Sequence, residues 1–207
     1  MKQAIESIQA QTFQTDDFVL VCDGPLNDGL DAIIAEKQQE MGETLNVVRL
    51  AKNGGLGNAL NEGIKHCKNE LVARMDSDDI SAADRCEKQV KLFKKNPELD
   101  ITSGALLEFV TSPDQITGGR TIPCNNDEII RYSRKRCPFN HPCMMFKKAQ
   151  LRAQVVIRKN TTCLKITICG FGCCKTVVRR KICRMCCFIC GHRPICISAV
   201  AELHMQK

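Results

Sequence analysis

Nowhere in the 207 residues do 18 apolar residues run together, so no membrane-spanning helix is indicated. The opening Met1-Lys2-Gln3-Ala4-Ile5-Glu6 lacks the apolar stretch of an export signal. With nothing directing export, a cytoplasmic location is expected, and the 15 cysteines are not expected to form a disulfide scaffold. Aromatics are also scarce. There is no Trp, and beyond residue 150 only Phe171 and Phe188 are aromatic, too few to stack on bases, so no nucleic-acid partner is expected. Acids are nearly absent from the same stretch. Residues 151–207 hold 11 Lys and Arg against one acid, Glu202, together with nine of the cysteines. Residues 1–150 hold 19 Lys and Arg, 22 Asp and Glu, and six cysteines. The formal charge of +7 therefore belongs to the tail, and the first 150 residues read as a mildly acidic soluble domain.

What is present in that domain is an alternation of apolar runs and amphipathic stretches. Helices are expected at Lys2 to Gln11, Leu30 to Met41, Asn58 to His66 and about Ala83 to Lys95, the last stopping before Pro97. Strands are expected at Phe18 to Cys22, Leu45 to Leu50, Leu71 to Met75 and Ile101 to Val110. Strands alternating with helices imply an α/β fold, a mostly parallel sheet flanked by helices.

Two features carry chemistry. Asp76-Ser77-Asp78-Asp79 places three carboxylates directly after the apolar run Leu71 to Met75. Carboxylates are hard ligands for Mg2+ or Mn2+, and open α/β sheets bind ligands beyond the carboxyl ends of their strands. A solvated turn would use the same residue types. Asn53-Gly54-Gly55-Leu56-Gly57 lets the backbone approach a phosphate at the start of a helix. It lacks the Gly-Lys-Ser/Thr of a P-loop and the third glycine of the dinucleotide fingerprint, and a tight strand-to-helix connection is the plainer alternative.

Taken in order, Phe18-Val19-Leu20-Val21-Cys22-Asp23-Gly24-Pro25, Asn53 to Asn61, Ala73-Arg74-Met75-Asp76-Ser77-Asp78-Asp79 and Cys137-Pro138-Phe139-Asn140-His141-Pro142 resemble family 2 glycosyltransferases. The likeness is to bacterial enzymes of capsule, O-antigen or exopolysaccharide synthesis and covers nearly all of residues 1–150. It implies a GT-A fold. It also implies that Asp23 contacts the nucleotide base and that Asn53 and Gly57 line the nucleotide-sugar pocket. Asp76 and Asp78 match the D-x-D pair that grips ribose, diphosphate and metal, with Arg74 and Asp79 as supports. Asn140 and His141 fall on the acceptor-side loop. The implied partners are a nucleotide sugar, a UDP-sugar above all, and a glycan or lipid-linked acceptor, with a divalent cation, Mg2+ or Mn2+. The intact family allows peripheral membrane contact.

Two departures from that pattern bear on activity. The chain begins directly in a helix, so a first strand and its nucleotide-holding loop are expected to be missing, leaving unpaired strand edges in the sheet. The catalytic base of the family, an Asp in a Glu-Asp pair some 30 residues after the Asn-His-Pro loop, has no counterpart. That region reads Thr161-Thr162-Cys163-Leu164-Lys165-Ile166 and contains no acid. A shift of reading frame near Gln150 accounts for this. Every Cys codon begins TG, so out of frame it supplies an NTG codon for Leu, Met or Val, and Leu164-Lys165-Ile166 permits Glu-Asp. The expectation is thus a partial GT-A domain over 1–150 and a basic Cys-rich tail over 151–207, out of frame and disordered or poorly folded. No catalytic residue is assigned. The rival readings are a nucleotide- or metal-binding remnant, or a zinc or nucleic-acid module built on Cys183, Cys186, Cys187 and Cys190.

Overall fold

The computed structural model describes residues 1–135, 137–149, 188–191 and 197–203. The chain opens with α1, Lys2–Gln9. Then come β1, Asp17–Cys22, α2, Asp28–Met41, and β2, Leu45–Arg49. Helix α3, Leu56–His66, leads to β3, Leu71–Asp76, and the short β4, Asp79–Ser81. Helix α4 spans Arg85–Lys95, followed by β5, Ile101–Thr102, β6, Leu106–Phe109, and β7, Ile116–Arg120. Helix α5, Asn126–Ser133, and β8, Met145–Lys147, complete the first 150 residues. Two further strands are β9, Phe188–Gly191, and β10, Ile197–Leu203.

The helices start where their local chemistry dictates. The Asn27 side chain accepts the Leu30 N–H at 2.9 Å, capping α2, and Asp28 and Asp31 sit in its first turn, where acids oppose the positive end of the helix dipole. Asn125 caps α5 in the same way through the Glu128 N–H.

The main sheet has the order β2-β1-β10-β3-β8-β5. Strands β1 and β2 pair in parallel, and β10 and β8 run antiparallel to their neighbours. β1, β2, β3 and β5 therefore point the same way. Every residue of β1 is buried: Phe18, Leu20 and Cys22 face a core with Ile5, Ile8 and Ile34, while Val19 and Val21 face one with Leu60, Val90 and Phe93. A strand covered on both faces reads as a continuous apolar run, which explains the unbroken sequence there. Burying each such side chain stabilises the fold by about 1.5–3 kcal/mol before entropy is subtracted.

Two sequence expectations are corrected. The edges of β1 and β3 are not left unpaired. Ile197–Leu203 fills the position between them, pairing Phe18 with Ala201 on one side and Arg74 with Val200 on the other. Open edges in the middle of a buried sheet are strong templates for any β-prone segment, and Ile-Ser-Ala-Val-Ala-Glu-Leu is one. The apolar run Ile101 to Val110 is not one strand either. It breaks at Ser103–Ala105, so β5 joins the main sheet and β6 a second sheet of order β4-β9-β6-β7. The break is fastened from outside: the Ser103 hydroxyl donates to the Asn140 carbonyl at 2.9 Å and the Asn140 side chain donates to the Gly104 carbonyl at 2.8 Å. The absent base region, Thr161 to Gly170, and most of the expected tail lie outside the described residues, as do the side chains of Cys183, Cys186, Cys187 and Cys190.

Candidate functional site

The acids singled out in sequence collect at one edge of the main sheet. In register, Cys22 lies opposite Ile197 and Asp76 opposite Ser198, so β1 and β3 end side by side across one intervening strand. Two strand spacings separate them, about 10 Å.

Asp23 follows β1 immediately and is buried. Its Oδ1 accepts the Gly54 N–H at 2.8 Å, which ties the end of β1 to the Gly-rich loop. Its Oδ2 is buried with no hydrogen-bond partner. A buried carboxylate oxygen without a donor costs about 1–3 kcal/mol, and the N–H of a nucleotide base is a donor of the right kind. The loops meet closely. Gly24 has φ +101°, and a Cβ there would fall 2.8 Å from the Asn53 nitrogen, so no larger residue fits. Asn53 itself is exposed, and its Oδ1 accepts the Gly55 N–H at 3.0 Å. Gly55, at φ +82°, precedes α3, whose first turn contains Gly57 and no acid. Asp23, Asn53 and Gly57 are thus brought together around one strand-to-helix connection.

Asp76 is the last residue of β3, and Ser77-Asp78 make the turn into β4. The Arg74 Nη2 donates to Asp76 Oδ1 at 2.7 Å; the Arg74 side chain is only 3% exposed and that of Asp76 32%. Arg74 Nε and Nη1 are buried without partners. Asp78 is half-buried, whereas Asp79 and Ser77 are buried. Among the described residues no three His, Cys, Asp or Glu side chains form a metal-ligating cluster. The residues present fit a divalent cation only as two carboxylates whose remaining ligands come from phosphate or water, the usual arrangement for Mg2+. The spare Arg74 donors beside them suit phosphate oxygens.

The Asn140-His141-Pro142 loop lies close to Arg74, whose charge acts on His141. The Asn140 amide is spent on structure, donating to Gly104 and Arg120 carbonyls. His141 Nε2 sits 3.3 Å from Cys137 Sγ, and the thiol donates to the Phe139 carbonyl at 3.4 Å. Which of the Nε2 and Sγ atoms donates depends on the ring's tautomer, and Nδ1 is buried with no partner. Burial, then the charge of Arg74, pushes the His141 pKa down to about 4, so the ring is neutral near pH 7. Burial pushes the Cys137 thiol up. His141, Asn140, Tyr132 and Arg120 line a hollow of about 770 Å³.

Sequence reasoning missed the residues that join the two sides. Arg85 is fully buried, and its Nη2 donates to the Arg74 carbonyl at 2.7 Å and the Met144 carbonyl at 3.2 Å. Its Nε donates to Gln89 Oε1 at 3.1 Å, and Gln89 Nε2 donates to the Cys143 carbonyl at 2.8 Å. The Arg74 N–H also donates to the Met144 carbonyl at 2.8 Å. Helix α4 thus clamps the strand carrying Asp76 to the turn carrying His141. The one signal was a polar i, i+4 pair, Arg85 and Gln89, beside the apolar stripe Cys86, Val90 and Phe93.

An α/β sheet with paired acids at one strand end and a Gly-rich connection at the next sets polar groups where open α/β sheets bind their ligands. Residues 1–154 match the family model for glycosyl transferase family 2, and the chain belongs to that family. It is 37% identical over 148 residues to the amylovoran biosynthesis glycosyltransferase AmsE of Erwinia amylovora, covering 72% of this chain and 54% of the relative. It is 34% identical over 151 residues to the UDP-Gal:alpha-D-GlcNAc-diphosphoundecaprenol beta-1,3-galactosyltransferase of Escherichia coli, covering 73% and 54%. Among solved structures it is similar to S. aureus TarS 1-349 in complex with UDP-GlcNAc, with TM-score 0.58 and 17% identity over 92% of this chain and 54% of that one. The fold is GT-A. The chain spans about half the length of the curated relatives it matches.

Proposed function

We propose that residues 1–150 are the nucleotide-sugar-binding part of a glycosyltransferase of bacterial surface polysaccharide synthesis, acting on the cytoplasmic side. Its donor is a nucleotide sugar, a UDP-sugar, and its acceptor a glycan or lipid-linked sugar. The observation that carries this reading is the unpartnered Oδ2 of buried Asp23, held by Gly54 at the edge where β3 delivers Asp76 and Asp78. Asp23 receives a base N–H, the Asn53 to Gly57 connection lies along the donor, and Arg74 holds Asp76 in place while offering two further N–H groups to phosphate. Asp76 and Asp78 hold a divalent cation, Mg2+ or Mn2+, which would neutralise the charge of the departing nucleoside diphosphate. His141, neutral near pH 7 and with an unpartnered Nδ1, hydrogen-bonds an acceptor hydroxyl.

Transfer itself also needs a general base, worth roughly a hundred- to ten-thousand-fold. Residues 151–207 contain one acid, Glu202, so the chain as it stands is inactive in transfer. Support for a frame change near Gln150 is that the family match stops at residue 154, where acids all but vanish and cysteines multiply. The test compares this chain with one carrying the frame restored after Gln150. Acceptor-dependent release of UDP from the restored chain alone is expected. Equal turnover by the 207 residues as given would mean that the base lies among them.

A further inference from the structure

A second set of metal-ligating atoms contains no carboxylate. Cys137 and His141 stand four residues apart on one turn, and Cys137 Sγ lies 3.3 Å from His141 Nε2. A thiolate and an imidazole bound to tetrahedral Zn2+, at bond lengths of about 2.3 and 2.0–2.1 Å, are roughly 3.5 Å apart. The pair already has nearly that separation. The turn is also stiff. Pro138 and Pro142 follow the two side chains and fix the backbone at each place. Between them the Asn140 side chain donates to the Gly104 and Arg120 carbonyls and pins the middle of the turn. Cys137 and His141 both line the hollow of about 770 Å³, which has room for an ion and its waters. Among the described residues no Asp or Glu lines that hollow, so it offers a hard cation no carboxylate.

We propose that Cys137 and His141 form a binding site for a soft divalent cation, Zn2+ or Cd2+, with Sγ and Nε2 as ligands and water in the remaining positions. The site does not depend on the glycosyltransferase reading. Binding forms a metal–sulfur and a metal–nitrogen bond and breaks the S–H bond. The thiol proton leaves to solvent and the ring proton rests on Nδ1. The ring has no second proton to lose, because it is neutral near pH 7. Burial holds the Cys137 thiol protonated and the Arg74 charge repels cations, so an ion enters only by a strong bond to thiolate. Zn2+ and Cd2+ form such bonds, whereas Mg2+ and Mn2+ prefer oxygen. The buried Nδ1 has no partner, and the protein supplies only two ligands, so affinity falls below that of a four-ligand structural site. This soft site and the hard one proposed at Asp76 and Asp78 therefore select different ions.

The test reads alkylation of Cys137 by N-ethylmaleimide in the full reduced chain, in EDTA, Zn2+, Cd2+ or Mg2+. Peptide mass analysis with fragmentation follows each cysteine separately, so Cys143 and the tail cysteines, with any metal they take up, do not enter the reading. Zn2+ and Cd2+ in excess should slow alkylation of Cys137 at least about tenfold relative to EDTA, while Mg2+ should leave it within about twofold. At the same ion concentrations, His141→Gln should cut the protection below about twofold. His141→Cys, which supplies a second thiolate ligand, should restore it. The His141 ring signals in the NMR spectrum give a second reading. Cd2+ should move them in the parent and not in Cys137→Ser, a mild change that keeps the answer readable if His141→Gln folds poorly. Unprotected Cys137 in the parent would overturn the proposal. So would protection that His141→Gln retains in full, or a Cd2+ shift of His141 that Cys137→Ser retains in full. Protection by Mg2+ equal to that by Zn2+ would overturn the assignment of a soft site.

Discussion

The strand-end edge proposed to hold the donor and the hollow proposed to hold the acceptor are built in different ways. Asp23, Asn53, Gly57, Asp76 and Asp78 lie in three short segments at or next to the ends of regular elements, and Asn53 and Asp76 are held by their sequence neighbours Gly55 and Arg74. One long-range bond, Gly54 N–H to Asp23, joins two of them. That hollow draws on residues from Leu106 to Pro142, and its loop is held by Asn140, by Ser103 and by Arg85 and Gln89 of α4, three separate places in the chain. Local motifs set the loops at the strand ends; buried side-chain hydrogen bonds assemble the hollow around the Asn140-His141-Pro142 turn.

The comparison breaks most sharply at Arg85. Arg85→Ala removes a buried cation together with its bonds to the Arg74 and Met144 carbonyls, of which Met144 keeps only the Arg74 N–H. The expected loss is on the order of 4 kcal/mol, a large part of a stability of about 5–15 kcal/mol. Chemical denaturation of the variant and the parent gives this difference. A loss under about 1 kcal/mol would mean the two sides are not clamped through α4.

His141 gives the next effect, and its sign follows from its depressed pKa of about 4. The unfolded ring takes up a proton near pH 6.5 while the folded ring stays neutral, so its contribution is present above that pH and lost as pH falls toward 4. The drop is on the order of 3 kcal/mol. Unfolding free energies measured between pH 7 and pH 4 should fall more steeply for the parent than for His141→Gln; parallel curves would contradict the burial argued for the ring.

These contrasts also explain what could be read from sequence. The apolar run Phe18 to Cys22 and the acids after Leu71 to Met75 specify strands and their ends because a strand buried on both faces has no polar positions to confuse. The amphipathic stretches gave four of the five described helices within about two residues of their ends and missed α5. Ile101 to Val110 misled because its apolar character continues across a break imposed by Asn140, 36 residues away from Gly104. Arg85 and Gln89 were illegible for the same reason: their partners are backbone carbonyls at Arg74, Cys143 and Met144, which no local spacing announces.

A smaller effect sharpens the donor side. Asp23→Asn can keep Oδ1 on the Gly54 N–H while turning the unpartnered oxygen into a donor. Stability should change by less than about 1 kcal/mol, while UDP affinity falls about tenfold because a base N–H now faces another donor. Equal affinity for uridine diphosphate in both chains would remove Asp23 from the base contact.

The central claim is that Asp76 and Asp78 form a metal–diphosphate site at the end of β3. Calorimetric titration of UDP into the chain, with and without Mn2+, compared with Asp78→Ala, tests it most directly. Weak binding that requires Mn2+ and disappears in Asp78→Ala is the expected result; equal heats from the two chains in the presence of Mn2+ would contradict it.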